Sequence, residues 1–154
     1  MDKKTIMHLF EDNELNISVL YALYAKHIPG KQSFWDGISK EEIAHASEVR
    51  KAAEEMGGWD IIGENKFTRG VVKNVMDFVM EEIKKAQKGN ISHSEALRTA
   101  LRIERSMLEK KCFDIFIPAN VTIKKMLDRL NGDTERHVAM LLNEMKKSKL
   151  TLEK

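Results

Sequence analysis

Residues 40–50 read KEEIAHASEVR, and the segment EEIAH inside it decides how the whole chain is to be read. Glu42 and His45 are three residues apart, so on a helix they point from one face. Two readings compete. In one, the pair faces a core and binds metal. In the other, Ser39-Lys40-Glu41-Glu42 is a capping box, the helix starts at Ser39, and the preceding QSFWDGI is a loop.

The surrounding chain favours long helices. Its 154 residues suit a single domain, 1–154, around one core. Two prolines and eight glycines leave helices uninterrupted over long stretches, and the alternating β-branched and aromatic runs of strands are absent. The expected class is all-α. With 26 basic and 24 acidic residues the net charge is +2, too weak a field to imply nucleic acid. A lone cysteine, Cys112, excludes an internal disulfide and any four-cysteine zinc or rubredoxin-type site within the chain. The N-terminal MDKKTIMHLFEDNEL lacks the apolar run of a secretory signal, and no stretch of about 18 apolar residues would span a membrane. The expectation is a cytoplasmic protein with neither membrane nor nucleic acid as partner.

Four long helical patterns carry apolar stripes. The first runs from about Thr5 to His27 and ends at Pro29-Gly30. The second covers Lys31 to Met56 and stops at Gly57-Gly58. A connection, GGWDIIGENKFTRG, leads into VVKNVMDFVMEEIKKAQKG, a further amphipathic helix ending at Gly89. Ser92 with Glu95 forms a capping box for the third stripe-bearing helix, which continues to about Ile117. The fourth occupies Asn120 to Lys147, with Asn131-Gly132 as a weak point. Tight joints within each pair predict two antiparallel hairpins, and the stretch between them can cross the full length as a helix of its own. Two hairpins with one long crossover describe a ferritin-like four-helix bundle.

Polar residues interrupt every stripe. The first helix presents Ile6, Phe10, Glu14, Ile17, Tyr21 and Tyr24; the second presents Phe34, Ile38, Glu42, His45, Val49, Ala52 and Met56. The third presents Leu97, Leu101, Glu104, Leu108, Cys112 and Ile115; the fourth presents Ile123, Leu127, Leu130, Thr134, His137 and Leu141. Burying a bare carboxylate costs several kcal/mol unless it is compensated. Interruptions on all four stripes point to a common cause. Glu104 lies 14 residues before Pro118 and Thr134 lies 16 after it, so both sit roughly 20–25 Å from that connection. Glu14 is 15 residues before Pro29 and Glu42 is 13 after it. The groups therefore meet at one level. Three carboxylates and two imidazoles there make a site for two cations, of which iron and manganese suit the donors and zinc competes.

At these residues the sequence resembles the ferritin-like di-iron superfamily, most closely its rubrerythrin-type branch. The resemblance rests on Glu14, on Glu42 and His45 in EEIAH, on Glu104 in ALRIERS, on His137 in DTERH, and on Tyr21 following Glu14 in ELNISVLYALYA. It implies that Glu14, Glu42 and His45 hold one metal, and that Glu104 and His137 hold a second with Glu42 bridging. It also implies two iron ions, a homodimer, and chemistry with peroxide or oxygen. The chain departs from the pattern in three places. Thr134 stands where a bridging glutamate belongs, Met107 replaces a second glutamate after Glu104, and no rubredoxin-like domain is present. Thr134 leaves the second site short of a carboxylate, while Asp133, four residues before His137, is a candidate substitute after a small helix shift; Glu135 points away.

Each residue also has a structural reading. Glu14 fits a core boundary, Glu104 a salt bridge with Arg102 or Arg105, His137 a satisfied core histidine, and Tyr21 and Tyr24 simple packing. His8, His27 and His93 lie near helix ends and receive no role; the nine methionines and Cys112 read as core filler, and Trp35 and Trp59 as packing at the ends. Three functions follow: a di-iron oxidoreductase of peroxidase or ferroxidase type, served by a separate electron donor; a non-catalytic metal protein for storage, delivery or sensing; or a metal-free scaffold.

Overall fold

The computed structural model describes residues 6–55, 66–109 and 121–147. Its elements are five α-helices: α1 (Ile6–His27), α2 (Gln32–Glu55), α3 (Lys66–Gln87), α4 (His93–Glu109) and α5 (Val121–Lys147). Among the described residues there is no strand. The expected all-α class holds. Expectations about Met56, the Gly57-Gly58 stop, Trp59, the extension of α4 to Ile117, Cys112, Ile115 and the helix start at Asn120 lie outside the described residues. So do the side chains of Ile6, Ala52, Met107, Leu108, Ile123 and Leu127.

Local chemistry sets the helix ends. After α1, Gly30 takes φ 77°, a left-handed conformation that only glycine adopts without strain, and the chain turns directly into α2. At the end of α3, Gly89 takes φ 79°, and a Cβ there would meet the His27 ring at 3.3 Å. The capping box before α4 forms as expected. The Ser92 N–H donates to Glu95 Oε1 at 3.3 Å, and the Glu95 N–H donates to Ser92 Oγ at 3.1 Å.

The helix 2 capping alternative is wrong. α2 already runs from Gln32, and Ser39 lies inside it with a buried hydroxyl that donates to the Ser18 carbonyl of α1 at 2.8 Å. The apolar stripe upstream explains this outcome: Trp35 and Ile38 are both fully buried, so packing continues the helix past the local capping signal. Asn131-Gly132 likewise does not break α5, which is continuous through Val121–Lys147.

Contacts between helices fix their directions. Arg50 reaches Glu11, and Ser39 reaches Ser18, so α1 and α2 are antiparallel. Glu144 pairs with His93, and His137 with Glu104, so α4 and α5 are antiparallel. Arg129 with Glu48 and Lys31 with Glu144 make α2 and α5 antiparallel. α3 packs against α1 and α4. Arg102 lies 4.5 Å over the Phe78 ring and Thr99 donates to Glu82 at 3.4 Å, so α3 is antiparallel to α4. A helix thus stands in sequence between the antiparallel pair α1–α2 and the antiparallel pair α4–α5. No described helix is long and apolar enough to cross a membrane.

Candidate metal centre

Each inward stripe delivers its polar residues to one place. Glu14, Glu42, His45, Glu104, Thr134 and His137 are all buried, none more than 4% exposed. They sit among Phe10, Ile17, Tyr21, Ile38, Val49, Leu101, Leu130 and Leu141, also buried. The 3.6-residue period thus places carboxylates and imidazoles where apolar side chains would otherwise complete the core.

Two groups form around a common member. Ligand atoms of Glu14, Glu42 and His45 lie within 4.8 Å of one another, and so do those of Glu42, Glu104 and His137. All five residues singled out in the sequence are brought together, and Glu42 belongs to both groups. Each group holds two carboxylates and one imidazole and could hold a metal ion. The shortage caused by Thr134 is therefore not confined to the second group; both have the same donor types.

The two imidazoles face inward through the same atom. His45 Nδ1 lies 3.4 Å from Glu14 Oε2 and 3.4 Å from Glu42 Oε1. His137 Nδ1 lies 3.2 Å from Glu42 Oε1 and 3.3 Å from Glu104 Oε1. The rings stack with centroids 5.7 Å apart and planes 26° off parallel. The Tyr21 hydroxyl, fully buried, donates to Glu104 Oε2 at 2.7 Å. Glu14 Oε2 is buried without a hydrogen bond, an unusual state for a carboxylate oxygen in a core.

Outer carboxylates hold the far side of each ring, and they come from the facing helix. His45 Nε2 on α2 donates to Asp133 Oδ2 of α5 at 2.9 Å. His137 Nε2 on α5 donates to Glu41 Oε1 of α2 at 3.0 Å. Arg136 pairs with Glu41 and lies 3.6 Å from Asp133 Oδ1. An imidazole that donates from one nitrogen to a carboxylate is oriented, and made more basic, at the other. Neither Glu41 nor Asp133 was recognisable from the stripes. The available signal was an acid directly before Glu42 and an acid four residues before His137.

Asp133 accordingly does not substitute for Thr134. Its side chain is 41% exposed and its carboxylate lies behind His45, not between the two groups. Thr134 is itself committed, its hydroxyl donating to the Leu130 carbonyl at 2.9 Å, a bond back to the preceding turn. Glu135 is exposed, as expected. Glu104 bonds Tyr21 and His137, whereas Arg102 stacks on Phe78. His93, given no role from sequence, accepts the Trp35 indole N–H at 3.2 Å and donates to Glu144 at 2.9 Å.

Electrostatics follow from crowding. Burial and the neighbouring Glu42 charge push the Glu14 carboxyl well above its ordinary range, and the same two causes raise Glu104. Burial would raise Glu42 too, but hydrogen bonds from His137 and His45 outweigh it and hold the group at about 2. Burial would lower His45, yet Glu14 and Glu42 outweigh it and raise the imidazole to about 12. Glu104 and Glu42 similarly overcome burial and raise His137 to about 11. Glu41 is partly buried, and Arg136 and His137 still lower it. Without metal, two imidazolium ions neutralise the buried carboxylates.

These residues fit a metal pair. A Glu14 oxygen is buried without a hydrogen bond, both Nδ1 atoms are aimed at carboxylates, and both Nε2 atoms are anchored. The donor set is hard oxygen with imidazole, suited to iron or manganese and open to zinc. No protein-family model, curated protein or solved structure gives a significant match to this chain.

Proposed function

We propose that this chain is a ferritin-like, rubrerythrin-type four-helix protein whose α1, α2, α4 and α5 enclose two iron ions, and that it reacts with hydrogen peroxide or oxygen. The observation that carries this reading is Glu42, buried and shared by two groups whose ligand atoms lie within 4.8 Å. Glu14 and Glu104 would be the outer carboxylate ligands, Glu42 the bridge, and His45 and His137 the nitrogen ligands through Nδ1. Ferrous ions bound there would supply electrons to the oxidant.

The side chains define the rest. Glu41 and Asp133 keep each imidazole turned so that Nδ1 faces inward. The Tyr21 hydroxyl fixes the orientation of Glu104. Apolar neighbours such as Ile17, Ile38 and Leu101 keep bulk water from the cluster. Electrons would come from a separate donor protein, and a homodimer in the cytoplasm is the assembly that the rubrerythrin-type reading implies.

Thr134 favours a second reading. A neutral hydroxyl bonded to Leu130 supplies no bridging charge, and losing a bridge weakens a redox pair more than it weakens simple cation binding. In that reading the chain stores, delivers or senses iron. Peroxide separates the two. The iron-loaded protein is mixed anaerobically with hydrogen peroxide while ferric absorption in the near ultraviolet is followed. Rapid growth of that absorption, repeated after re-reduction, supports the oxidoreductase; iron that is bound but oxidises no faster than in buffer supports the binding role.

A further inference from the structure

The two halves of the cluster are related position by position, with one exception. Glu14 of α1 corresponds to Glu104 of α4, and His45 of α2 to His137 of α5. Asp133 behind His45 corresponds to Glu41 behind His137. Glu42 precedes His45 by three residues; its counterpart, three before His137, is Thr134. Thr134 is 4% exposed, so it occupies the interior position but brings no charge.

Charge then fails to balance once metal is bound. Metal ligation requires deprotonated carboxylates and neutral imidazoles. Glu14, Glu42 and Glu104 contribute −3, two divalent ions contribute +4, and the buried cluster carries +1. An uncompensated charge in a core is strongly unfavourable. Asp133 and Glu41 do not cancel it from inside, since both are directed to the far nitrogens of the rings. A threonine ends at its γ atoms and cannot reach between two groups as a glutamate does.

We propose that a small planar oxyanion, bicarbonate or a simple carboxylate such as formate, binds with the two ions beside Thr134 and supplies the missing bridging charge. The inference rests on the two-metal reading above. It makes the chain an anion-dependent metal binder, in which ions and oxyanion enter together. By linkage, the oxyanion raises metal affinity as much as the metals raise oxyanion affinity.

The test is anaerobic titration of the full chain with ferrous iron in carbon-dioxide-free chloride buffer, repeated with added bicarbonate and with added formate. For the wild type, one or both oxyanions are expected to lower the apparent Kd for the ion pair about tenfold or more, and the arm that responds identifies the anion. Thr134→Glu is expected to bind two ions tightly in chloride alone and to lose the oxyanion response. Thr134→Gln, similar in size but neutral, is expected to retain that response. Wild-type protein that binds two ions equally well in every buffer overturns the proposal and leaves the metal reading standing. Wild-type protein that binds no ion in any buffer overturns both. The wild-type comparison decides the matter even if Thr134→Glu fails to fold.

Discussion

Asp133 and His45 are joined across the α2–α5 interface by a 2.9 Å hydrogen bond to the ring nitrogen that faces away from the carboxylates. Glu41 and His137 repeat the contact in the opposite direction at 3.0 Å. Each helix therefore orients the imidazole carried by the other. Neither imidazole keeps its outer carboxylate unless α2 and α5 are docked, and one residue, Arg136, pairs with Glu41 and approaches Asp133.

That crossing makes a specific prediction for metal affinity. Asp133→Asn should weaken the ion held by Glu14, Glu42 and His45, while Glu41→Gln should weaken the ion held by Glu42, Glu104 and His137. Loss of such an outer carboxylate typically costs about 10–100-fold in affinity. Calorimetric titration of each variant checks it. Each substitution should displace one binding step, and opposite steps should respond although Glu41 is adjacent to Glu42 in sequence.

Protonation sets the pH dependence of the metal-free protein. His45 and His137 move from an ordinary value of 6.5 to about 12 and about 11 in the fold. Raised values mean that their stabilising contribution is complete below about pH 6.5 and is lost progressively toward pH 11–12. Glu14 and Glu104, also raised, act in the same direction above their ordinary 4.5. Glu42, depressed to about 2, contributes above pH 4.5 and loses its contribution as pH falls toward 2. The Tm of the metal-free protein should therefore fall as pH rises from 6.5 to 9. The Tm increase on adding metal should grow over the same range, because ligation displaces these protons. Thermal melts with and without metal across that range check both slopes.

Tyr21→Phe tests the support of Glu104. The substitution removes a donor 2.7 Å from a buried carboxylate oxygen and keeps the ring. Leaving a buried acceptor unsatisfied costs about 1–3 kcal/mol. Urea denaturation of the metal-free variant should show that loss in the midpoint without a change in slope.

The parts of this architecture legible in the sequence are those that obey helical periodicity. Glu14, Glu42, His45, Glu104 and His137 stand inside apolar stripes, and their distances from Pro29 and Pro118 place them at one level; the fold brings all five together. Ser39 misled in one reading because a capping signal is local, whereas Trp35 and Ile38 bury the turn before it and extend the helix. The role of Glu41 and Asp133 behind the two imidazoles was not legible, although Asp133 stood out as a substitute ligand, and the reason is geometric. Successive residues on a helix point about 100° apart, so Glu41 leaves the inward stripe, and its partner is set by the docking of α2 on α5. Asp133 does share a side of its helix with His137, but it lies one turn away. On an antiparallel neighbour that offset aligns it with His45. His93 was overlooked because its partners, Trp35 and Glu144, are distant in sequence and meet it only in the packed fold.

The most direct test of the central claim is a count of ferrous ions bound per chain under anaerobic conditions, with bicarbonate and formate present, in the wild type and in Glu42→Ala. Glu42 belongs to both groups, so the account predicts two ions in the wild type and loss of both binding steps in the variant. Metal-free melting curves serve as the folding control. Unchanged stoichiometry in a folded Glu42→Ala protein, or a wild type that binds no iron and melts at the same temperature with or without it, would contradict the account.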